Sequence, residues 1–235
     1  MIDENTIIPI KDVAVRVVDE PLHYEIENRD SIEQGWDREY ARNPHLFNGP
    51  LYLAETAELS SGLFQATFQR TRYATLLHWR KDISQQRPWH IFGVGVIVSA
   101  DNCLIAGRMA PRNAVAGRIY FPAGSIDDND VVDGMVDYDR NMLREVAEET
   151  GFDLTGARRD TALHLVKANR NAALFRRFFF DLGAAEIAAS IRAHIAADDA
   201  AELDDVIVVS GAGQMGDATP SYVRAFADWH FGSAP

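Results

Sequence analysis

Three glutamates that lie close together on one predicted helix are the residues most able to do chemistry. Glu145, Glu148 and Glu149 stand at positions i, i+3 and i+4, so their carboxylates neighbour one another on one face. Like charges at this spacing weaken an isolated helix. A hard divalent cation offsets that repulsion, because Mg²⁺ and Mn²⁺ prefer oxygen ligands. The pattern therefore predicts a metal-binding helix face, with a solvated acidic face as the alternative.

A longer motif surrounds these glutamates. The order from Arg144 to Phe152 is Arg-Glu-apolar-x-Glu-Glu-x-Gly-apolar, and Gly151 closes the predicted helix as its C-cap. This order resembles the second half of the Nudix box, which is written G-x5-E-x7-R-E-U-x-E-E-x-G-U with U apolar. Upstream, the stretch Phe121-Pro122-Ala123-Gly124 resembles the turn that opens the box. The chain is therefore similar to Nudix hydrolases.

The first half of the box departs from the family pattern. Counted back from Arg144, the expected glycine falls on Asp130 and the expected glutamate on Val136. Gly124 lies six residues before the expected position, so the stretch 125–136 contains an insertion. The insertion is rich in aspartate, which predicts a solvated turn, with an additional metal ligand as the alternative.

The resemblance implies a metal site and a role for each of its residues. Glu145, Glu148 and Glu149 would bind Mg²⁺ or Mn²⁺, and the backbone carbonyl of Ala123 would add a further oxygen. Arg144 would orient a carboxylate through a charge-assisted hydrogen bond. A cation held there polarises a phosphoryl oxygen and lowers the pKa of a bound water. The reaction class that follows is hydrolysis of a phosphoanhydride.

Candidate residues for the substrate lie outside the helix. Gly124 would allow the backbone to approach a metal ion or phosphate closely. Glu202 is the candidate catalytic base or extra ligand, with an exposed acidic turn as the alternative. Arg108 and Arg118 are candidates for binding substrate phosphates, with a surface role as the alternative.

The composition limits the partners of the chain. The 235 residues carry a formal net charge of −12 and contain a single cysteine, Cys103. No basic stripe is present, which argues against a nucleic-acid partner. The N-terminal residues lack a signal-peptide pattern, and no apolar run has the length of a membrane span. We therefore expect a cytoplasmic protein that binds no membrane and whose cysteine stays reduced.

The pattern of apolar residues predicts an α/β fold, which the resemblance makes a Nudix-type α/β/α sandwich with a mixed sheet. We expect residues 1–85 to form an N-terminal extension packed on the core, and residues 86–235 to form the Nudix domain. Asp137 is the candidate N-cap of the box helix. The predicted helices are 30–42, 73–80, 138–150, 184–197 and 221–231, and the predicted strands are 13–18, stretches within 46–63, 91–99, 103–109, 118–121, 163–167, 174–182 and 206–210.

The resemblance also implies a substrate class. We expect Mg²⁺-dependent hydrolysis of a nucleoside diphosphate linked to another moiety, a small-molecule partner. The insertion in the box and the long N-terminal region look like a subgroup that cleaves UDP-sugars to UMP and a sugar 1-phosphate. The alternatives are an ADP-ribose or CoA-type substrate, or a nucleotide sensor without turnover. A homodimer is a further expectation, because many family members dimerise.

Overall fold

A mixed β-sheet forms the centre of the protein in the computed structural model, which describes residues 3–232. The strands are β1 (Ile7–Ile10), β2 (Asp12–Val18), β3 (Pro50–Ser60), β4 (Leu63–Arg72), β5 (His90–Val98), β6 (Leu104–Met109), β7 (Ile119–Tyr120), β8 (Val131–Val132), β9 (Met135–Val136), β10 (Arg158–Arg159), β11 (Leu163–Ala168), β12 (Asn171–Phe179) and β13 (Leu203–Val209). The helices are α1 (His23–Glu27), α2 (Arg29–Arg42), α3 (Tyr73–Lys81), α4 (Tyr138–Thr150), α5 (Ala184–Ala197) and α6 (Ser221–Gly232).

The larger sheet has the strand order β1-β11-β12-β5-β6-β13, with β10 added beside β12 and β7 beside β6. The pair β5–β12 is parallel, whereas β11–β12, β5–β6 and β6–β13 are antiparallel. Every residue of β5 is buried. A strand covered on both faces needs a nearly continuous apolar sequence, which explains the apolar run from Ile91 to Val98.

Helices cover both faces of the larger sheet. On one face, Met142 and Val146 of α4 and Ile187 of α5 pack in the same apolar cluster as Ile91 of β5. On the other face, Phe226 of α6 belongs to a second cluster that contains alternate residues of β5 and β12. This arrangement of helix, sheet and helix confirms the predicted α/β/α sandwich.

Two glycines of β5 bring α4 directly onto the sheet. A Cβ atom at Gly95 would lie 2.6 Å from Val146 Cγ2, and one at Gly93 would lie 2.7 Å from Asn141 Oδ1. Real Cβ atoms do not approach other atoms so closely, so a larger residue at either position would push the helix away. The close packing fixes the position of the helix that carries the three glutamates.

A smaller sheet joins the N-terminal region to the insertion, in the order β3-β4-β2-β9-β8. Strands β8 and β9 form a hairpin within the insertion, and Arg16 of β2 pairs with Met135 of β9. The prediction of a solvated turn holds for Asp128 and Asp133, which are exposed, but not for the strands of the stretch. The residues of β8 and β9 form strands because β9 pairs with β2, which is distant in the sequence.

The N-terminal region also contributes to the larger sheet, because β1 pairs with β11 at its edge. Helices α2 and α3 pack with β3 in a separate apolar cluster that includes Ile32, Leu53, Leu76 and Trp79. Strands β1 and β4 were not predicted from the sequence. Helix α2 starts at Arg29, directly after Asn28. Within residues 3–232, no helix is both long and apolar enough to cross a membrane.

Candidate active site

The helix that carries the glutamates begins and ends as the sequence predicts. The carboxylate of Asp137 accepts a hydrogen bond of 3.0 Å from the Arg140 amide, as an N-cap does. Gly151 ends α4 with a φ of 73°, a left-handed conformation that favours glycine. Val146 is buried on the sheet side of the helix, whereas Ala147 is exposed.

Arg144 links the acidic groups of the site. Its Nη2 atom lies 2.8 Å from Asp130 Oδ2 and 2.7 Å from Glu145 Oε1, and its Nη1 atom lies 3.0 Å from Glu148 Oε2. One guanidinium thus compensates several carboxylates that would otherwise repel one another. The orienting role of Arg144 remains a prediction, and these are the contacts on which it depends.

Asp130 is a further residue of the site, which the sequence did not indicate. Its side chain is fully buried, and it accepts hydrogen bonds from Arg144 and from Asn141 Nδ2 at 2.9 Å. It also forms a capping box with Asp127 in the turn before β8. The spacing of Asp127 and Asp130 was the only signal in the sequence. A buried carboxylate with three partners is the opposite of the solvated aspartate that the insertion predicted.

Glu145 approaches the backbone of the loop that opens the box. A Cβ atom at Gly124 would lie 2.0 Å from Glu145 Oε1, so glycine is required for this contact. Burial raises the pKa of Glu145 to about 8, and the neighbouring carboxylates of Glu148 and Glu202 act in the same direction. Arg144 opposes this rise.

Glu149 is buried beside the same loop. Its side chain accepts a hydrogen bond of 3.1 Å from the Ala123 amide, and the residue is only 8% exposed. The sequence analysis expected the carbonyl of Ala123 to bind a metal ion; here its amide contacts a carboxylate. Burial, followed by the charges of Glu145 and Glu202, raises the pKa of Glu149 well above its usual value.

Glu202 belongs to the same acidic group, although it lies far along the chain. Its backbone carbonyl accepts hydrogen bonds from the Ala110 amide and the Asn113 side chain, which hold the segment before β13. The residue as a whole is exposed, but desolvation of its carboxyl and the charge of Glu148 raise its pKa. The structure thus brings Glu202 within electrostatic reach of all three helix glutamates.

The donor set of this site fits a hard divalent cation. The candidate ligands are all oxygen atoms, and carboxylates crowded in a partly buried site gain from a bound cation. In the part of the chain from residue 3 to 232, no three acidic, histidine or cysteine side chains are arranged as an assembled metal site. Arg144 and the Ala123 amide hold the carboxylates instead. To bind here, a cation would have to replace some of these donors as the partners of the carboxylates.

A cavity of about 460 Å³ opens beside Glu149. Ala123, Gly124 and Glu149 line one part of it, and Arg118 lines another. Arg108 is not among the lining residues; its Nε atom pairs with Asp204 Oδ1 at 2.6 Å. Of the two candidate phosphate-binding arginines, the structure therefore brings only Arg118 to the pocket. The other residues that line the cavity are Arg80, His90, Phe92, Met109, Val115, Tyr120, Phe121, Ser125, Ala168, Asn169, Asn171, Pro220, Ser221 and Tyr222.

Comparison with known proteins finds likeness only among solved structures. No family model matches the sequence, and no curated protein matches it. A MutT protein from Methanosarcina mazei Go1 is 17% identical, with a TM-score of 0.41, over 63% of this chain and 96% of that one. The NUDIX domain of Shewanella oneidensis NrtR, solved with ADP ribose, is 10% identical, with a TM-score of 0.36, over 52% of this chain and 73% of that one.

A NUDIX hydrolase from Nitrosomonas europaea is a further match, 19% identical with a TM-score of 0.35, over 61% of this chain and 90% of that one. The chain is thus similar to several Nudix proteins of known structure. Likeness at these identities and TM-scores carries no conclusion about activity, so the function must be inferred from the residues of the site.

Proposed function

We propose that this protein is a Nudix hydrolase that cleaves the phosphoanhydride bond of a nucleoside diphosphate linked to another moiety, with Mg²⁺ or Mn²⁺ as cofactor. The observation that carries the proposal is the group of four carboxylates formed by Glu145, Glu148, Glu149 and Glu202. Glu149 is buried and Glu145 is partly buried, both have raised pKa values, and Glu149 lines a pocket that Arg118 also lines. An acidic group of this kind, beside a pocket of nucleotide-binding size, fits metal-dependent phosphate chemistry.

Each residue has a role in this proposal. Glu145, Glu148, Glu149 and the Ala123 carbonyl would hold the cation, which polarises the phosphoryl group and offsets the charge of the leaving phosphate. Arg144, itself held by Asp130, keeps Glu145 and Glu148 in place. Glu202, with its raised pKa, would accept the proton of the attacking water.

The reaction adds one water to one phosphorus atom and breaks the bond to the bridging oxygen. With a UDP-sugar, which is our first choice, the products are UMP and a sugar 1-phosphate. An ADP-ribose or CoA-type substrate is the second choice. Arg118 would bind a phosphate of either, because a guanidinium matches the geometry of phosphate oxygens.

A screen of nucleoside diphosphate derivatives with Mg²⁺ tests both the activity and the substrate. We expect release of a nucleoside monophosphate from at least one of them, and no release when Mg²⁺ and Mn²⁺ are removed with a chelator. Turnover of ADP-ribose or CoA with UDP-glucose untouched would reject the UDP-sugar choice. Binding without turnover of any compound would favour a nucleotide sensor.

The metal assignment has its own test. The double variant Glu148→Gln with Glu149→Gln keeps the size of both side chains but removes two negative charges. We expect it to lose activity by at least ~100-fold, since a cation held by fewer carboxylates stabilises less charge in the transition state. Full activity in the double variant would show that these residues do not bind the metal.

A further inference from the structure

The pocket beside Glu149 contains two arginines that come from distant parts of the chain. Arg118 precedes β7, whereas Arg80 lies in the last turn of α3. Helix α3 belongs to the N-terminal region, which the sequence analysis treated as an extension packed on the core. A residue from this region therefore lines the same cavity as Gly124 and Glu149.

The charge of Arg80 acts on several polar groups of the pocket. Burial lowers the pKa of the His90 imidazole on β5, and the charge of Arg80 acts in the same direction. Arg80 opposes the rise that burial causes in the pKa of the Tyr222 phenol on α6. It also acts on the Tyr120 phenol, where Arg118 has the same effect. Arg80, Arg118 and Tyr120 line the same cavity, so both positive charges face the space that a substrate would occupy.

Neither guanidinium is neutralised by an acidic partner. Over residues 3–232, no carboxylate lies within 4 Å of Arg80 or Arg118. The nearest polar partner of Arg118 Nη1 is a neutral one, the Asp217 carbonyl oxygen at 3.4 Å. In contrast, Lys81, the next residue after Arg80, pairs with Glu39 at 2.5 Å. The two arginines thus keep an uncompensated charge in a protein whose net charge is −12.

The negative charge of a diphosphate substrate would favour positively charged side chains in this cavity. A diphosphate that enters the cavity comes close to Glu149 and to the other carboxylates, which ionise when they bind a cation and then repel the phosphates. Cations on the pocket wall offset this repulsion, and arginine binds phosphate oxygens with two parallel hydrogen bonds. We propose that Arg80, supplied by the N-terminal region, binds a phosphate of the substrate together with Arg118. This inference rests on the proposed function for the identity of the substrate.

Binding of a substrate analogue tests this role without any turnover. The probes are the α,β-methylene analogues of UDP and ADP, titrated by calorimetry with Mg²⁺ into the full-length protein. We expect Arg80→Ala to raise the Kd at least about tenfold, as loss of a charge-assisted hydrogen bond does. The Kd of Arg80→Lys should lie between those of the native protein and Arg80→Ala, because lysine keeps the positive charge but cannot form two parallel hydrogen bonds. The matched control is Arg38→Ala, an exposed arginine on α2, which should bind as the native protein does.

The outcomes separate this inference from the proposed function. If Arg80→Ala binds both analogues as tightly as the native protein, or if the native protein binds neither, the inference is overturned. If Arg80→Ala loses affinity but the native protein hydrolyses no diphosphate derivative, the phosphate-binding role of Arg80 stands and the hydrolase proposal fails. Arg80 is exposed, so we expect the variant to unfold at the same temperature as the native protein.

Discussion

The residues of the candidate site show a balance between acidic groups and a single arginine. Four carboxylates lie in contact or in electrostatic reach of one another, and Arg144 contacts Asp130, Glu145 and Glu148. Sequence spacing was enough to place the three glutamates on one face, because that depends only on helix geometry. It was not enough to find Asp130, because burial of an aspartate depends on what the fold packs around it.

The buried pair of Asp130 and Arg144 should contribute strongly to stability. We expect Asp130→Ala to lower the free energy of unfolding by about 3 kcal/mol, because it leaves the charge of Arg144 short of its buried partner. Asp128→Ala is the control from the same turn, since its carboxylate is 49% exposed and pairs with Arg70. That variant should lose less than ~1 kcal/mol. Equal losses in urea unfolding would contradict the special role of Asp130.

The raised pKa values of the carboxylates predict that metal binding releases protons. Glu145, with a pKa of about 8, is largely neutral at pH 7 without a cation, and a metal ligand must be deprotonated. Affinity for Mn²⁺ should therefore rise from pH 6 to pH 8, by up to about tenfold per pH unit for each proton released. Calorimetry in buffers with different ionisation enthalpies measures the number of protons. An affinity that is flat over this range would contradict the prediction.

The same shift has a consequence for stability without a metal ion. A carboxyl whose pKa is raised in the folded state binds more protons there than in the unfolded state. Stability should therefore fall as the pH rises from about 4.5 to 8, the interval between the usual and the raised pKa of Glu145. Thermal unfolding at several pH values, with chelator present, measures this slope, and added Mn²⁺ should reduce it.

At the scale of elements, the sequence predicted the bounds of the helices better than the pairing of the strands. Helices α4 and α5 have the predicted bounds, because caps and apolar spacing are local signals. The hairpin of β8 and β9 was missed, since two-residue strands carry little pattern and are stable only against β2. Strand β1 was also missed, because it pairs with β11, which is distant in the sequence.

The contact between α4 and β5 depends on a glycine. We expect Gly95→Ala to lower the free energy of unfolding by about 1–3 kcal/mol, because the new methyl group would overlap Val146. Val146→Ala alone should also destabilise, by leaving a cavity. The double variant should lose less than the sum of the two, since the smaller side chain makes room for the methyl group. Additive losses in chemical unfolding would mean that the two residues do not interact.

At the scale of the whole molecule, the N-terminal region and the remainder depend on each other through both sheets. Strand β1 completes one sheet, and β2 joins the insertion in the other. An ion pair of 2.7 Å between Arg70 and Asp128 and a hydrogen bond from Tyr52 to Asp128 add side-chain contacts. None of these long-range pairs could be inferred from the residues alone, because they depend on the path of the chain in three dimensions.

The fragment 86–235 should therefore be much less stable than the full chain. It would lose β1, the partners of the insertion and Arg80, and it would expose the apolar surface that they cover. We expect an unfolding temperature lower by at least ~10 °C, or no cooperative transition, since ~1 kcal/mol corresponds to a few degrees at this size. Addition of the separate fragment 1–85 should restore part of the loss. A fragment as stable as the full chain would contradict this dependence.

The pairing of β1 with β11 also bears on the order of events during synthesis. Ile7 is made well before its partner Val166, because 158 residues separate the two in the sequence. Until then β1 has no strand beside it, and the carboxylates cannot reach their final positions. Contacts between such distant residues slow folding and prolong the exposure of apolar segments to chaperones. Strand β1 is therefore made before β11, but it joins the sheet only after β11 has been made.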